Sequence, residues 1–404
     1  AAACTALIQA GTETEVNTGI AYFNRGNRDA EQGSNAQAVD DYTQALAKGF
    51  LDSAVYYGRG IAHNALGHFD DALNDYTTAI ARNPALADAL GNRGNVYQYG
   101  LHDYTQAIAD YGAAIVLRDD AIFRANRAQA FLSGPHDTDS ALADYDRAIE
   151  LNANNADLRI SRGNVYYARG NYDAAVTDYQ AALSLHPDYA LAYYNIGKAY
   201  EAQGHRQDAI AQWNEALRVN PGYADALGNR AKAYYDTRRY ESALADFSAA
   251  LAIRPDAINL NGRGLVYQYG RNDLDHAIAD FDQAASLAPT NGEYNNNACW
   301  ARVLANRELD VARTRCDAAI AAADDARFFM SRGLLALKQH RDLDAWNDYD
   351  PAVRRAETNA AYLYGRGIAA LRLGRSTEGQ ADIAAATARD ANIAAAYQGY
   401  GVTP

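Results

Sequence analysis

The sequence predicts an all-α fold, a solenoid of about eleven stacked antiparallel helix pairs, from three observations. A short motif recurs about every 34 residues, an alanine–aromatic–alanine pattern follows it at helical spacing, and a proline closes many of the units. A repeat of this length accommodates two helices and their turns. We therefore expect a repeat array, and not the two or three globular domains that 404 residues would otherwise suggest.

An arginine followed by glycine or alanine opens most of the units. These pairs begin at Arg25, Arg59, Arg93, Arg127, Arg162, Arg230, Arg263, Arg332 and Arg366. Within one such unit Ala175, Tyr179 and Ala182 are four and three residues apart, which places them on one face of a second helix. The small residues allow the two helices to approach closely. Prolines cannot continue a helix, and they stand between units at Pro84, Pro187, Pro221, Pro255 and Pro289.

The composition is that of a folded chain, with 49% apolar and 22% charged residues. No apolar run is long enough for a membrane span, and a net charge of −13 argues against nucleic acid as a partner. Common catalytic and nucleotide-binding motifs are missing from the sequence. Histidines beside acids, at 102–103, 136–139 and 273–276, fall between predicted helices, where aspartate caps the next helix. We predict no enzyme activity, no cofactor and no metal site.

These motifs closely resemble those of the tetratricopeptide repeat family, over nearly the whole chain. The resemblance implies a right-handed superhelix in which the first helix of each repeat lines a concave groove. It places the second helix of an incomplete repeat at residues 1–10, eleven repeats at 18–390, and a C-terminal cap or half-repeat at 391–404. The repeats are anchored on Gly26, Gly60, Gly94, Ala128, Gly163, Gly197, Ala231, Gly264, Cys299, Gly333 and Gly367.

The family also indicates which side chains face the groove, and it implies a protein or peptide as the partner. Asparagine and glutamine both donate to and accept from a peptide backbone, and tyrosine covers side chains at low entropic cost. A polar and aromatic groove is also typical of solenoids in general, so this evidence is not specific. The predicted groove residues are Phe23, Asn27, Tyr57, Asn95, Gln98, Tyr99, Asn164, Tyr167, Tyr194, Lys198, Tyr235, Gln268 and Tyr269.

An aspartate precedes the second-helix aromatic residue in most of the units that carry the arginine. The two repeats that lack the arginine, with Ile196 and with Cys299, also lack this aspartate, having Gln212 and Arg315 instead. Loss of both residues in the same repeats predicts ion pairs within a repeat, with a structural role. Two examples are Arg59 with Asp75 and Arg162 with Asp178.

Two cysteines lie at facing core positions of the degenerate ninth repeat. Cys299 and Cys316 are expected to form a disulfide, and two buried thiols are the alternative. The position of Cys4 matches that of Cys316, so we expect its partner in sequence that precedes Ala1. The bridge, together with a resemblance to exported bacterial repeat proteins, predicts a periplasmic or extracellular protein with a mature N-terminus.

Half-repeats at the two ends suggest a second function. A first helix at the C-terminus of one copy would meet a second helix at the N-terminus of the next, and such a contact propagates as a filament unless it closes. The alternative prediction is therefore a structural protein that assembles head to tail.

Three repeats have one residue more than the others. We expect the extra residues in loops, at Gly100–Asp103, Gly134–Asp139 and Gly270–Asp275, because solenoids tolerate insertions between helices.

Overall fold

The computed structural model describes residues 2–404, and its regular secondary structure is entirely helical over that range. The chain forms two compact units, Ala1–His205 and Arg206–Pro404. The helices of the first unit are α1 (Ala2–Ala10), α2 (Glu15–Glu31), α3 (Asn35–Ala47), α4 (Ser53–Ala65), α5 (Phe69–Arg82), α6 (Ala87–Asn95), α7 (Tyr104–Leu117), α8 (Ala121–Ser133), α9 (Thr138–Leu151), α10 (Ala156–Ala168), α11 (Tyr172–Leu185) and α12 (Ala190–Ala202).

The helices of the second unit are α13 (Arg206–Val219), α14 (Ala224–Asp236), α15 (Tyr240–Ile253), α16 (Ala257–Leu265), α17 (Leu274–Leu287), α18 (Gly292–Ala305), α19 (Leu309–Ala322), α20 (Ala326–Lys338), α21 (Asp342–Arg355), α22 (Ala360–Arg372), α23 (Ser376–Arg389) and α24 (Ile393–Gly399). Among the described residues, none of these helices has both the length and the apolar character needed to cross a membrane.

Consecutive helices pack as pairs in both units, which confirms the all-α solenoid that the sequence predicts. The pairs of the first unit are α2/α3, α4/α5, α6/α7, α8/α9 and α10/α11, and those of the second are α14/α15, α16/α17, α18/α19, α20/α21 and α22/α23. Helix α12 carries the first-helix residues of the sixth repeat, anchored on Gly197, and α13 carries its second-helix residues.

The motif has glycine or another small residue at its anchor because in most repeats an aromatic ring packs on it. A Cβ atom added to Gly163 would lie 2.7 Å from Cε1 of Tyr179, and one added to Gly60 would lie 2.9 Å from Cε1 of Tyr76. Contacts this short do not occur between real Cβ atoms and carbon, so a larger residue would push the two helices apart.

Arginine and aspartate form a bidentate ion pair within nine repeats. In each, Nε and Nη2 of the arginine donate to the two oxygens of one carboxylate over 2.6 to 3.1 Å. The aspartate side chains are only 3% to 13% exposed. The pairs are Arg25–Asp41, Arg59–Asp75, Arg93–Asp110, Arg127–Asp144, Arg162–Asp178, Arg230–Asp246, Arg263–Asp280, Arg332–Asp348 and Arg366–Asp382.

Eight of these nine arginines, all except Arg127, also reach the preceding repeat, a contact that the sequence did not predict. Nη1 of Arg162 donates to Asp146 over 2.7 Å, and Nη1 of Arg59 donates to the Thr43 hydroxyl over 3.1 Å. The acceptor lies two residues after the position that aspartate occupies in most second helices. One guanidinium therefore joins three helices.

The ninth repeat has a disulfide and a different set of ion pairs in place of the arginine–aspartate pair. Cys299 and Cys316 form a disulfide between α18 and α19, with Cα atoms 5.4 Å apart, where most other repeats have a small residue and an aromatic ring. Arg315 occupies the usual aspartate position, and its Nη2 lies 3.2 Å from a carboxylate oxygen of Asp282 in the preceding repeat. The buried Arg302 bonds the same carboxylate. Asp282 therefore forms ion pairs with arginines from both helices of the ninth repeat.

The extra residue of the third and eighth repeats lies in a helix, so the expectation of two loop insertions was wrong. α6 and α16 each end in a π-helical turn, at Val96–Gly100 and Val266–Arg271. The amide of Leu101 donates to the carbonyl of Val96, five residues back, and a π turn absorbs one residue in this way. In the fourth repeat the extra residue does lie in a turn, after α8 ends at Ser133.

The first and last helices each pack against neighbouring helices of their own unit. Thr5 of α1 accepts a hydrogen bond from Arg25 over 3.3 Å, at the position that other second helices use to contact the next repeat. Helix α24 packs on α22 and α23, and the Tyr397 hydroxyl donates to the carbonyl of Ala361 over 2.7 Å. Ala1, the first residue of the predicted segment 1–10, lies outside the described residues.

We expect a double-mutant cycle at Arg162 and Asp178 to show strong coupling. Asp178→Ala leaves a half-buried guanidinium without its carboxylate, so each single change should lower the free energy of unfolding by about 3 kcal/mol. The double variant should lose clearly less than the sum, as measured by urea unfolding. Arg169 and Asp139, whose side chains are 41% and 83% exposed, are the matched control pair and should cost under about 1 kcal/mol. Additive losses at Arg162 and Asp178 would contradict the pairing.

We expect one reactive thiol in the oxidised protein, because Cys4 is the only one of the three cysteines outside the disulfide. Thiol titration in denaturant should give one equivalent before reduction and three after it. Replacing Cys299 and Cys316 by serine should lower the free energy of unfolding by about 3 kcal/mol, since the bridge closes a loop of 17 residues. Three thiols before reduction would show that the bridge does not form.

Candidate functional site

The predicted groove residues lie on the first helices and on the π-helical turns that follow two of them, and we call the surface they form in each unit the first-helix face. It consists of the side chains one, four and five residues after each repeat anchor, and three before it. Asn164, Tyr99 and Tyr269 are exposed on this face, and the two tyrosines, at 60% and 56%, are far more exposed than the core tyrosines. Half-buried side chains on the face are Phe23, Asn27, Tyr57, Asn95, Tyr167, Tyr194, Lys198 and Tyr235.

Gln98 and Gln268 are buried, at 2% and 6% exposure, and this corrects their assignment to an open groove. Both lie in the π-helical turns, which shift the following side chains around the helix relative to an α-helical repeat. Oε1 of Gln98 lies 2.9 Å from the Tyr111 hydroxyl oxygen. The equivalent ring in the eighth repeat is Phe281, which has no hydroxyl, and Oε1 of Gln268 has no hydrogen-bond partner in the described structure.

Asparagines on the face are fixed by the tyrosines of the second helices. The Tyr42, Tyr111 and Tyr179 hydroxyls donate to Oδ1 of Asn27, Asn95 and Asn164 over 2.7 to 2.8 Å. The amide oxygen of each asparagine is therefore occupied. Its amide NH2 group is held in the opposite direction from the ring, because the two ends of an amide point apart.

A second row of asparagines was missed in the sequence analysis. Nδ2 of Asn126 donates to Asn95 over 3.1 Å, and Nδ2 of Asn195 donates to Asn164 over 3.2 Å, so the amides of consecutive repeats are linked. The sequence does contain a pattern that could have predicted this row: asparagine recurs two residues before the anchor, for example at Asn92, Asn126 and Asn195.

Three of the predicted residues meet in one pocket between α10 and α12. The pocket has a volume of about 250 Å³ and is lined by Asn164, Tyr167, Tyr179, Leu191, Asn195 and Lys198. It combines two amides, two aromatic rings and one ammonium group. Other predicted residues of the face, such as Phe23 and Tyr57, lie in other repeats and take no part in it.

The ammonium of Lys198 is held by tyrosine rings. Its Nζ lies 4.9 Å from the ring centre of Tyr167 and 5.7 Å from that of Tyr194. Lys198 forms no ion pair with any residue from 2 to 404, although this chain has many exposed carboxylates. Burial raises the pKa of Tyr167, with a smaller contribution from Tyr172, so the ring beside the ammonium stays a neutral phenol at neutral pH.

The aspartates beside histidines in the turns cap helices, as the sequence analysis predicts. Asp103, Asp137 and Asp273 accept hydrogen bonds from backbone amides in the first turns of α7, α9 and α17, each over 3.1 Å. Hydrogen bonds from Ser140 lower the pKa of Asp137, and those from the His276 amide and ring lower the pKa of Asp273.

Comparisons with known proteins give matches to one kind of repeat. A family model described as a TPR repeat matches residues 163–204, and one described as a tetratricopeptide repeat matches residues 57–98 and 194–258. A comparison with curated protein sequences gives no significant match.

Two of the solved structures that match this chain illustrate the similarity. The C-terminal part of a TPR repeat-containing protein from Cytophaga hutchinsonii is 20% identical, with a TM-score of 0.52, and the match covers 59% of this chain and 98% of that one. The MamA protein is 27% identical, with a TM-score of 0.40, over 43% of this chain and 94% of that one. Proteins of this family bind proteins or peptides and are in general non-catalytic scaffolds. The period, the helix pairs and the family models identify tetratricopeptide repeats in this chain, at residues 57–98 and 163–258.

Proposed function

We propose that this interaction scaffold binds an extended peptide segment on the first-helix face of the unit Ala1–His205. The observation that carries the proposal is the ammonium of Lys198, which lies over two tyrosine rings with no carboxylate paired to it, in the same pocket as Asn164. The partner is therefore a protein that offers a flexible segment with hydrogen-bond acceptors.

Asn164 determines which groups the ligand must supply. Its Oδ1 already accepts hydrogen bonds from Tyr179 and Asn195, whereas its Nδ2 donates to no atom of residues 2–404. An exposed amide NH2 group beside an ammonium is a site of donors alone. Backbone carbonyls and carboxylates are the acceptors that a protein segment provides.

Lys198 favours an anionic group at one position of that segment. The tyrosine rings stabilise the ammonium by cation–π attraction and limit the conformations of its side chain, which reduces the entropy lost when a ligand binds. A carboxylate of the ligand would then form a charge-assisted hydrogen bond with Nζ. Tyr167 offers a broad surface for an apolar side chain of the same segment.

We also propose that the scaffold works in an oxidising compartment, the periplasm or the outside of the cell. The disulfide between Cys299 and Cys316 supports this, because cytosolic thiols are normally kept reduced.

The binding proposal predicts that selected peptides depend on the pocket. Twelve-residue peptides displayed on phage and selected on the full chain should be enriched in one acidic position, and their affinity should be measured by fluorescence anisotropy. Lys198→Ala and Asn164→Asp should each weaken binding at least about tenfold, since each removes a donor to a charged or carbonyl oxygen. Asn164→Asp keeps the acceptor for the Tyr179 hydroxyl, but it removes the NH2 donor and adds a negative charge, and both changes oppose an acidic ligand.

The matched control is Lys48→Ala, because Lys48 is a partly exposed lysine that pairs with Glu15. It should leave the affinity unchanged. Peptides that bind both pocket variants as tightly as the unaltered chain would show that the pocket is not the binding site.

Head-to-tail assembly is the second candidate function, and an apolar cavity at α1 and α2 favours it. The cavity has a volume of about 330 Å³, and its lining includes Leu7 and Ile20, both of which are exposed. A first helix supplied by another copy would cover these side chains in the way that first helices cover second helices elsewhere in the fold. Helix α24, which packs as a first helix does, is the segment that would occupy it.

Assembly predicts a molar mass that rises with concentration. Light scattering and negative-stain imaging of the 404-residue chain should then show polymers, and Leu7→Glu with Ile20→Glu should abolish them, because charges would be buried in the contact. A monomer at every concentration would exclude this candidate and leave the peptide-binding proposal unaffected.

A further inference from the structure

We propose that His63, His68 and Asp71 bind a divalent transition-metal ion, with Zn²⁺ the best fit, at the turn between α4 and α5. Nothing in the repeat pattern requires two histidines here. The ligand set is two imidazole nitrogens and one carboxylate oxygen, which suits zinc and related ions and leaves a fourth position for water.

The turn brings the three side chains together. His63 lies in the last turn of α4, Gly67 reverses the chain with φ +76°, and His68 precedes the first residue of α5. The amide of His68 donates to the carbonyl of His63 over 2.9 Å, which fixes the spacing of the two histidines. Asp71 follows in the first turn of α5.

The distances fit a tetrahedral site. Nδ1 of His63 lies 3.4 Å from Nδ1 of His68, and ligand atoms of all three residues lie within 4.8 Å of one another. Zinc–nitrogen bonds of about 2.0 to 2.1 Å at a tetrahedral angle separate two ligand nitrogens by about 3.4 Å. Without a metal, the two nitrogens can share one proton at most. Asp71 is exposed, so its carboxylate can rotate closer without disturbing the core.

A carboxylate near Nε2 orients the ring of His63. Its side chain is 14% exposed, and its Nε2 lies 4.0 Å from a carboxylate oxygen of Asp75, which Arg59 holds in the buried ion pair. Metal-binding histidines commonly direct their second nitrogen toward a carboxylate in this way. With Nε2 directed at Asp75, Nδ1 is the nitrogen that faces His68.

Another repeat provides an internal comparison. In the sixth repeat the position of His63 is taken by Tyr200, and His205 occupies the position of His68, with the two rings 6.3 Å apart. The turn therefore accepts tyrosine in place of the first histidine, and the sixth repeat lacks one of the two imidazole ligands. His63→Tyr copies this arrangement and should fold.

The test uses the full chain without a histidine tag, after treatment with a chelator. Calorimetric titration with ZnCl2 should give one equivalent per chain and a raised melting temperature, as binding to the folded state requires. His63→Tyr and His68→Asn should each weaken zinc binding by about 100-fold or more. Removing a residue that only hydrogen-bonds a metal ligand lowers metal affinity about 10- to 100-fold, and removing the ligand itself should lower it further.

The matched control is His205→Asn, which should leave zinc affinity and the zinc-dependent melting temperature unchanged. Circular dichroism of each variant without zinc checks that it folds. Absence of binding to the unaltered chain, unchanged affinity in His63→Tyr and His68→Asn, or loss of binding in His205→Asn would each overturn the proposal.

Discussion

The buried ion pair between arginine and aspartate determines the geometry of the repeats. A carboxylate shielded from water is stable only if both of its oxygens are bonded, and the planar guanidinium does this with Nε and Nη2. Its geometry leaves Nη1 directed at the preceding repeat, where it bonds a residue such as Asp146. Lysine has a single point of charge and would not hold two repeats in this way. In the nine repeats that carry the pair, these contacts hold the first helix against its own second helix, and in eight of them also against the preceding repeat.

The ninth repeat shows that the requirement is electrostatic and does not depend on one particular pair of residues. Arg315 stands where an aspartate is usual, and Asp282 of the preceding repeat balances its charge. The glycine–aromatic contact has also been replaced, by the disulfide between Cys299 and Cys316. Both changes fall in one helix pair, so its neighbours keep their regular contacts, as expected where each repeat touches only the next.

The period and the helical spacing of small and aromatic residues were enough to predict the fold and the family. The joint absence of arginine and aspartate from the same repeats also indicated their pairing. The π turn at Val96–Gly100 could not be predicted, because an extra residue fits a loop or a helix equally well in sequence, and the backbone hydrogen bonds decide between them. The same turn buries Gln98 and exposes Tyr99. The pocket at Lys198 needs side chains from two repeats at once, and their distances do not follow from the period alone.

In a repetitive chain the residues that the repeat does not require carry the most information about function. At the position after the anchor, Asn27, Asn95 and Asn164 share one hydrogen bond to a core tyrosine, so their presence has a structural explanation. Lys198 occupies that position in α12 and forms no bond that stabilises the helix pair, only contacts with tyrosine rings on the face. His63 likewise stands where Tyr200 and other tyrosines fill space between helices. A cation left unpaired in a chain of net charge −13 is available for an external acceptor, which is why the proposed peptide site is placed there.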